Sequence, residues 1–281
     1  MSAVVCETIA GLRDVVREAR GRELTVGVVP TMGALHEGHA ELIRQARAEN
    51  GFVVVTIFVN PIQFDRKEDL DRYPRDLATD VALCRRLGSD AIFAPTASEM
   101  YPGELLTAVE VAGVSSALEG EFRPGHFKGV ATVVAKLLNI AQADRAYFGE
   151  KDAQQLAVIQ KMAADLNMPV TIVPVATVRE ADGLALSSRN RLLTSEERKV
   201  APALYRALLA ACGKISAGSK DAAEVRAAAL DLLAGTPEIR VQYLEVADAA
   251  TMRPVVKVAG PVRVAAAVWL GKVRLIDNVL A

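Results

Sequence analysis

This sequence of 281 residues has few cysteines and few histidines, and it has almost no net charge. The three cysteines, Cys6, Cys84 and Cys212, are odd in number and far apart, so they do not indicate a disulfide framework. Lys plus Arg (33) nearly balances Asp plus Glu (34), and this net charge of −1 argues against broad nucleic-acid binding. No apolar run approaches the roughly 20 residues that span a bilayer, and the N-terminal segment lacks the apolar stretch of a signal peptide. We therefore expect a cytoplasmic protein with no nucleic-acid or membrane partner.

Apolar residues are plentiful, at 51% of the chain, which is enough to bury a large core. Up to about residue 175, apolar runs of β type alternate with helical stretches. Continuous apolar strands joined by helices indicate a parallel sheet that is covered on both faces. The predicted fold class is therefore α/β with a doubly wound, Rossmann-like parallel sheet. The predicted strands are 24–30, 52–60, 90–95, 145–149 and 169–175, and the predicted helices are 39–50, 75–88, 129–142 and 151–167.

The pattern changes near residue 177. Thr194 and Glu197 have the spacing of a capping box at the start of a helix that we expect to continue through residue 212, and residues 220–235 are predicted to form another. Two later segments, 239–249 and 261–270, alternate as antiparallel strands do. We therefore divide the chain into a Rossmann-like domain over residues 1–176 and a smaller α+β domain over residues 177–281.

The segment TMGALHEGH, residues 31–39, holds two of the three histidines, at the end of the first predicted strand and the start of a helix. Gly33 and Gly38 let backbone approach a ligand closely, and the spacing of His36 and His39 lets both face the same ligand. A helix N-terminus attracts anions. The segment therefore predicts a phosphate site built from imidazole and backbone N–H groups. A strand–helix turn with two incidental surface histidines is the simpler alternative.

A zinc site is a second alternative for the same histidines. His36, His39 and the remaining histidine, His126, would form a His₃ set, with Glu37 between the first two. The metalloprotease pattern HExxH needs histidines four residues apart, and HEGH is one residue short. Zinc is therefore the weaker interpretation.

Two further loops carry groups that bind phosphate. Lys151 in GEKD, residues 149–152, follows a predicted strand, where Gly149 permits a tight turn and the lysine offers a cation. LALSSRNRLL, residues 184–193, supplies serine hydroxyls and arginines beside the domain boundary. A solvated lysine and a polar interdomain linker are the simpler interpretations of these two loops.

Neutral amides follow two of the predicted strands. Asn60 and Gln63 lie in FVNPIQF, and Gln154 and Gln155 begin the helix after GEKD. Neutral amides suit recognition of hydroxyl groups or of a carboxylate. Of the second pair, a glutamine that faces inward is able to bind such a ligand, whereas glutamines that face outward to solvent are the commoner case.

HxGH after the first strand and a late SSR loop resemble the HIGH and KMSKS-type elements of the nucleotidylyl-transferase superfamily. A set of six segments narrows the resemblance to the pantothenate synthetase (pantoate–β-alanine ligase) family. They occur in order over about residues 28–191: VPTMGALHEGH, FVNPIQF, YPRDL, EFRPGHFKGVATVVAKL, FGEKDAQQL and DGLALSSRN.

The resemblance implies an AMP-forming ligase of pantothenate biosynthesis. The carboxylate of (R)-pantoate would attack the α-phosphate of ATP and release pyrophosphate, and the amine of β-alanine would then displace AMP from pantoyl adenylate. The first domain would bind ATP and pantoate, and the second would close over the site. Family members use magnesium and are commonly homodimers.

The resemblance also assigns site residues. His39 matches the family's proton donor, Gln63 matches a residue shared by pantoate and β-alanine, and Gln155 matches a second pantoate contact. Together with His39, we expect His36, Lys151 and Arg189 to stabilise the charge that develops during adenylate formation. The implied ATP contacts are Met32, Gly33, Ala34, Leu35, His36, Glu37, Gly38, His39, Gly149, Glu150, Lys151, Asp152, Val178, Leu186, Ser187, Ser188 and Arg189.

Opposing effects act on the protonation of His39. A helix N-terminus disfavours a charged imidazole, whereas a bound triphosphate favours it. We therefore predict that both histidines donate hydrogen bonds, with proton transfer by His39 as the competing role. The sequence does not fix the protein ligands of magnesium, for which Asp76 and Asp80 are within reach in principle.

Other functions compete with the ligase. A nucleotidylyltransferase of the same superfamily shares HxGH but not NPIQF or GEKDAQQ. A tRNA synthetase is disfavoured by the near-neutral charge and by the lack of an evident RNA-binding domain. A nucleotide-binding protein that has lost catalysis is disfavoured by the complete set of polar site residues.

Overall fold

The computed structural model describes residues 3–65 and 67–281; residues 1, 2 and 66 of the predicted first domain lie outside the described residues. The chain forms two compact units. The first runs to Ala112 and also takes in Arg123–Glu150 and Val158–Ala176. The second consists of Gly113–Phe122, Lys151–Ala157 and Thr177–Ala281. Two short segments from the earlier part of the chain therefore belong to the second unit.

A six-stranded parallel sheet forms the centre of the first unit, in the order β1-β4-β3-β2-β5-β6. This confirms the predicted doubly wound α/β class. After β4 the chain returns to the other side of β2, so the sheet reverses its order between β2 and β5, where such folds bind ligands. The strands are β1 (Val4–Cys6), β2 (Val26–Thr31), β3 (Phe52–Ile57), β4 (Ala91–Phe93), β5 (Arg145–Gly149) and β6 (Thr171–Val175).

Helices connect these strands. α7 is buried nearly all round, as its apolar sequence predicts. α8 begins in the second unit and ends in the first. The helices of this part of the chain are α1 (Ile9–Gly21), α2 (Glu37–Glu49), α3 (Lys67–Arg72), α4 (Leu77–Arg86), α5 (Ala97–Met100), α7 (His126–Ala141) and α8 (Ala153–Asp165), and α6 (Glu119–Phe122) belongs to the second unit.

The core of this sheet is made of the branched residues that identified its strands. Val29, Val53 and Ile92 are fully buried in one cluster with Ile43 of α2. In the β2–β3 ladder Val28 lies opposite Val54 and Val29 opposite Val55. Burial of these side chains fixes the register of the strands, and with it the position at which each loop leaves the sheet.

The second unit contains a three-stranded antiparallel sheet with helices, which confirms a smaller α+β domain. The prediction missed β9. Its elements are α9 (Ser195–Val200), α10 (Ala203–Ser216), α11 (Ala222–Ala234), β7 (Ile239–Asp248), β8 (Val262–Leu270) and β9 (Val273–Leu280), with sheet order β7-β8-β9.

The prediction of one helix from Thr194 to residue 212 is wrong. Its capping box is present, since Glu197 N–H donates to Thr194 Oγ1 and Thr194 N–H donates to Glu197 Oε2. However, α9 ends at Val200 and α10 begins at Ala203. Pro202 lies at the break because it has no N–H to continue the helical ladder.

No helix within residues 3–65 and 67–281 is both long enough and apolar enough to cross a membrane.

Candidate active site

The loop after β2 begins with a turn that requires glycine. Thr31 Oγ1 donates to Thr56 O at 2.7 Å and accepts from Gly33 N–H at 3.2 Å. Gly33 has φ +81°, and a Cβ at this position would lie 2.9 Å from Asp80 Oδ2. Any larger residue would strain the backbone and displace the aspartate.

His36 and His39 cap the N-terminus of α2. His36 Nδ1 accepts from Gly38 N–H at 3.1 Å, and His39 Nδ1 accepts from His36 N–H at 3.3 Å. The two rings lie side by side, with centroids 4.1 Å apart. A nitrogen that accepts a hydrogen bond carries no proton, so each neutral ring carries its proton on Nε2. Both histidines are therefore hydrogen-bond donors through Nε2.

Five backbone N–H groups of this loop have acceptors inside the protein. Ala34 N–H and Leu35 N–H donate to the Asp80 carboxylate at 2.9 and 2.8 Å. Gly33 N–H, His36 N–H and Gly38 N–H donate to side chains of the loop itself. These five donors therefore help to fold the loop.

His126 has the opposite arrangement of ring nitrogens. Its Nδ1 donates to Gln63 O at 2.9 Å, and its Nε2 accepts from Arg123 Nη1 at 3.1 Å. The side chain is buried against this turn and fixes it. In the part of the chain that the structure describes, no group of three or more His, Cys, Asp or Glu side chains is arranged to hold a metal ion. The His₃ zinc interpretation finds no support in this geometry.

A chain of buried hydrogen bonds sets the orientation of the Gln63 amide. Asn60 Nδ2 donates to Gly129 O at 3.2 Å and to Gln63 Oε1 at 3.0 Å, while Asn60 Oδ1 accepts from Tyr101 OH at 2.7 Å. A backbone carbonyl can only accept, so the Asn60 amide has one allowed orientation and imposes one on Gln63. Gln63 Nε2 consequently points toward Met32, with Sδ at 3.0 Å.

Packing holds this chain of bonds in place. A Cβ on Gly129 would lie 2.4 Å from Ile62 O, so only glycine lets α7 approach the 3-10 turn Pro61–Gln63 this closely. Lys136 Nζ lies 5.4 Å from the centre of the Tyr101 ring. Burial raises the pKa of Tyr101 to about 12, so the phenol stays a donor at neutral pH. No sequence pattern marked Tyr101 as part of the site.

The inward-facing glutamine of α8 is Gln154. It is 4% exposed, its Oε1 accepts from Glu119 N–H at 3.0 Å, and its Nε2 donates to Val114 O and Ala117 O at 2.9 and 2.7 Å. These bonds tie α8 to the segment Gly113–Phe122, so the inward side chain has a structural role and is not a ligand contact. Gln155, the residue that the resemblance assigns to pantoate, is half-buried.

A small cavity in the second unit has a volume of about 310 Å³ including the space open to solvent, and it is lined by the predicted cationic side chains. Lys151, Ser187 and Arg189 line it together with Arg274. The Lys151 side chain is 17% exposed, and its Nζ lies 3.7 Å from Asp152 Oδ1. The structure therefore brings Lys151 together with Ser187 and Arg189, a juxtaposition that the sequence did not show.

Arg179 anchors the loop that carries the serines. Its guanidinium donates to both oxygens of Asp277, at 2.6 and 3.0 Å, and to Gly183 O at 3.1 Å. It also lies 3.8 Å from the centre of the Tyr205 ring. Asp277 is 3% exposed, so this pair is buried and its loss would leave an uncompensated charge.

Beyond this anchor, Val178 and Leu186 pair across a narrow hairpin, with Leu186 N–H donating to Val178 O at 3.0 Å. Ser187 Oγ then accepts from Arg189 N–H at 3.3 Å and caps the 3-10 turn Ser188–Leu192. This bond uses a lone pair of the Ser187 hydroxyl and leaves its proton able to donate.

Sequence reasoning missed Arg274, which lies on the unpredicted strand β9. It donates to both oxygens of Glu119, at 2.8 and 2.6 Å, and its Nε donates to Gln242 Oε1 at 2.7 Å. Tyr243 OH donates to Glu119 Oε1 at 2.8 Å, and burial is the main cause that raises the pKa of Tyr243 well above 10. In the sequence, Arg274 is marked only by its place in a segment near the C-terminus whose apolar and polar residues alternate as in a strand.

The structure shows the local environment of three other predicted ATP contacts. Glu37 is exposed and pairs with Arg44 at 2.6 Å. Gly149 ends β5 without a left-handed φ, and no atom lies within 4 Å of where its Cβ would be. Glu150 begins the 3-10 turn Glu150–Asp152.

Both aspartates considered for magnesium already serve the fold. Asp80 is 3% exposed and accepts the two N–H groups of Ala34 and Leu35. Asp76 caps α4 and accepts from Thr79 N–H and Oγ1 at 3.1 and 2.7 Å, which lowers the pKa of its carboxyl. Neither fits the role of a dedicated magnesium ligand.

An open cleft of the first unit lies at the carboxyl ends of β2, β3 and β4, with a volume of about 980 Å³ including space open to solvent. Met32 and Gly33 line it with Phe58 and Pro95. Its place agrees with the expectation that a doubly wound sheet binds ligands at this edge.

Comparison with known proteins gives one consistent result. The family model of pantoate-beta-alanine ligase matches residues 4–280. Pantothenate synthetase from Moorella thermoacetica is 53% identical over 274 residues, which cover 98% of this chain and 97% of the relative. The crystal structure of pantothenate synthetase from Thermus thermophilus is similar with a TM-score of 0.92 at 48% identity, covering 98% of each chain. Pantoate-beta-alanine ligase from Francisella tularensis, complexed with beta-gamma ATP and beta-alanine, has a TM-score of 0.80 at 34% identity, covering 99% of this chain and 97% of that one.

Proposed function

The chain belongs to the pantoate–β-alanine ligase family, and we propose that it joins pantoate to β-alanine through a pantoyl adenylate. In the first step a pantoate carboxylate oxygen attacks the α-phosphorus of ATP, and the bond to pyrophosphate breaks. In the second step the β-alanine amine attacks the acyl carbon, AMP leaves, and the amine loses a proton as the amide forms.

The observation that supports this chemistry best is the pair of capping histidines. Negative charge grows on the leaving pyrophosphate during the first step, and fixed hydrogen-bond donors aimed at such charge lower the barrier. Because Nδ1 of each ring is held by a backbone N–H, Nε2–H is a donor whose direction is set before substrate binds. We propose that His36 and His39 donate to ATP phosphate oxygens.

The same geometry supports one of the two roles considered for His39. To give up a proton from Nε2, the ring must carry a second proton on Nδ1, both before and after transfer. Nδ1 faces His36 N–H at 3.3 Å, so a proton there would place two donors against each other. Hydrogen-bond donation therefore fits the structure, and proton transfer would cost the cap.

We propose the full predicted ATP set as contacts of the nucleotide. Lys151 and Arg189 line one cavity with Ser187, which supports a shared phosphate-binding role for these second-unit residues. The set comprises Met32, Gly33, Ala34, Leu35, His36, Glu37, Gly38, His39, Gly149, Glu150, Lys151, Asp152, Val178, Leu186, Ser187, Ser188 and Arg189.

For the substrates we propose Gln63 as a contact of pantoate and β-alanine, and Gln155 as a second contact of pantoate. The fixed orientation of Gln63 means that it offers N–H donors on the side of Met32. Such donors form hydrogen bonds with acceptor oxygens, namely the carboxylate or hydroxyl oxygens of pantoate. Because the amide is uncharged, it does not compete with the cationic side chains for the phosphates.

We also propose that ATP acts with magnesium, that the protein is a homodimer and that it is cytoplasmic. Magnesium would neutralise phosphate charge. Asp76 and Asp80 already serve the fold, so the ion would be held by phosphate oxygens and water. This is a common mode of binding for magnesium. The cytoplasmic setting is supported by three cysteines that are all free thiols.

The alternatives are less well supported. A nucleotidylyltransferase that stops at a nucleotide-linked product is not favoured, since the ligase family model covers residues 4–280. A binding protein without catalysis is not favoured either, because both histidines, Lys151 and Arg189 are present.

Product analysis tests the function directly. Purified protein incubated with ATP, pantoate and β-alanine should form an amide of mass equal to the two acids less water, with one AMP per amide. Formation of a stable nucleotide-linked product in the presence of β-alanine, or release of ADP in place of AMP, would overturn the proposal.

A further inference from the structure

A buried carboxylate lies under the turn that precedes the two histidines. Asp80 of α4 is 3% exposed. Its Oδ2 accepts from Ala34 N–H at 2.9 Å, and its Oδ1 accepts from Leu35 N–H at 2.8 Å. Both oxygens of one charged side chain are therefore committed to the backbone of a single turn, from 46 and 45 residues away in the sequence.

The backbone of this turn is unfavourable by itself. Gly33 and Ala34 are consecutive left-handed residues, with φ +81° and +52°. Such a conformation costs an alanine free energy that glycine does not lose. Ala34 and Leu35 are also buried, so without Asp80 their N–H groups would have no water to bond and no acceptor.

A carboxylate is the side chain that matches two adjacent donors. An ionised carboxylate offers two acceptor oxygens, and its bonds to N–H groups are stronger than neutral ones. An asparagine of the same shape has one acceptor oxygen and would place its NH₂ against the other backbone N–H. The conformation of the turn is therefore tied to the charge of Asp80.

We propose that Asp80 is a positioning residue of the ligase reaction. It holds the turn Gly33–Leu35 in the conformation that places His36 at the N-cap of α2, and it thereby sets the direction of the Nε2–H groups of His36 and His39. It acts through the backbone and does not touch substrate. The catalytic consequence rests on the proposed function, whereas the link between carboxylate and turn rests on geometry alone.

Asp80→Asn tests the proposal, and Asp76→Asn is its matched control. Asp76 lies at the start of the same helix, and asparagine is an equally good N-cap. We expect Asp80→Asn to lower kcat about 10- to 100-fold, since displacement of catalytic groups by about 1 Å has effects of this size, with little change in KM for β-alanine. Asp76→Asn should keep kcat within about twofold of the wild type. A folded Asp80→Asn variant with wild-type kcat would overturn the proposal.

Two additions separate positioning from metal binding. Ala34→Gly, introduced into the Asp80→Asn variant, removes the cost of the left-handed residue and should restore kcat by roughly three- to fivefold. If Asp80 held magnesium instead, raising the magnesium concentration would restore the activity and Ala34→Gly would not. That pair of results would contradict a positioning role.

Imidazole ¹⁵N spectra report on the turn without any substrate, so they test Asp80 even if the proposed reaction is not found. In the wild type we expect His36 and His39 as Nε2–H tautomers and His126 as the Nδ1–H tautomer. In Asp80→Asn the signals of His36 and His39 should shift while those of His126 stay. Unchanged signals from His36 and His39 would overturn the proposal whatever the activity.

If Asp80→Asn does not fold, the wild type still gives an answer. The amide protons of Ala34 and Leu35 lie outside helix and strand, yet they should exchange slowly with solvent because the buried carboxylate accepts both. Fast exchange at these two amides would contradict the proposal.

Discussion

His39 Nδ1 accepts a hydrogen bond from the backbone N–H of His36, and the two rings lie with centroids 4.1 Å apart. His36 in turn accepts from Gly38 N–H. One nitrogen of each ring thus belongs to the fold, and we propose that the other, as Nε2–H, donates to the ligand. A substitution that keeps the cap but removes the Nε2–H donor therefore separates the effect of capping from the effect on catalysis.

His36→Asn makes this separation. Asparagine is a preferred N-cap, so we expect the free energy of unfolding to stay within about 1 kcal/mol of the wild type. The Nε2–H donor is lost, and kcat for adenylate formation should fall about 10²- to 10³-fold. Chemical denaturation and single-turnover kinetics measure the two effects. A variant with normal kcat would remove His36 from the phosphate site, and His36→Ala is the comparison in which the cap is lost as well.

Tyr101→Phe should weaken pantoate binding without contact with pantoate. Loss of the phenol leaves Asn60 Oδ1 without its donor, so the Asn60 amide that orients Gln63 is held only through Gly129 O and is less firmly fixed. We expect KM for pantoate to rise about 5- to 20-fold, the equivalent of roughly 1–2 kcal/mol, with KM for ATP little changed. Tyr147→Phe is the control, because it also removes a phenol with side-chain partners, here Asn50 and Glu49. Equal effects of both variants on KM for pantoate would contradict the account.

Two glycines within helices should respond to alanine in opposite ways. At Gly129 of α7 the new Cβ would lie 2.4 Å from Ile62 O and 2.7 Å from Gln63 Cα, so we expect a loss of about 1–3 kcal/mol and weaker pantoate binding. At Gly213 of α10 no atom lies within 4 Å, and alanine should stabilise by about 0.5–1 kcal/mol. Urea unfolding of both variants checks the signs. Stabilisation by Gly129→Ala would show that α7 and the Gln63 turn are not in close contact.

These examples also show what the sequence could reveal. The position of the histidine loop followed from apolar runs and from the rule that ligands meet parallel strands at their carboxyl ends. The strings around His39, Lys151 and Ser187 identified the family because they occur together and in order. Patterns of this kind can be recognised in a sequence because they consist of residues that are neighbours along the chain.

What could not be predicted depends on side-chain orientation and on partners far along the chain. Asp80 reaches a turn 46 residues earlier, and nothing near either position marks the pairing. The choice of Gln154 as the buried glutamine follows from its bonds to Gly113–Phe122, whose membership of the second unit has no local signal. Arg274 lies on a strand that was not predicted, and Asp277 there pairs with Arg179.

Alkaline pH should destabilise the protein in a defined window. Burial raises the pKa of Tyr101 and Tyr147 to about 12, against about 10 in the unfolded chain. A folded pKa above the unfolded one means that the stabilisation is complete below about pH 10 and is lost as the pH rises toward 12. Phenolate absorbance of folded and urea-unfolded protein measures the two titrations. Tyr101→Phe should lose less stability than the wild type between pH 10 and 12, and an equal loss would show that Tyr101 titrates normally.

Pyrophosphate–ATP exchange tests the central claim most directly. Labelled pyrophosphate should enter ATP when pantoate is present and β-alanine is absent, because the first step is complete and reversible without the amine. The rate should fall to background when pantoate is omitted, and His36→Asn should lower it by the factor found for kcat. Exchange that does not depend on pantoate, or exchange that requires β-alanine, would contradict the pantoyl adenylate and with it the assigned reaction.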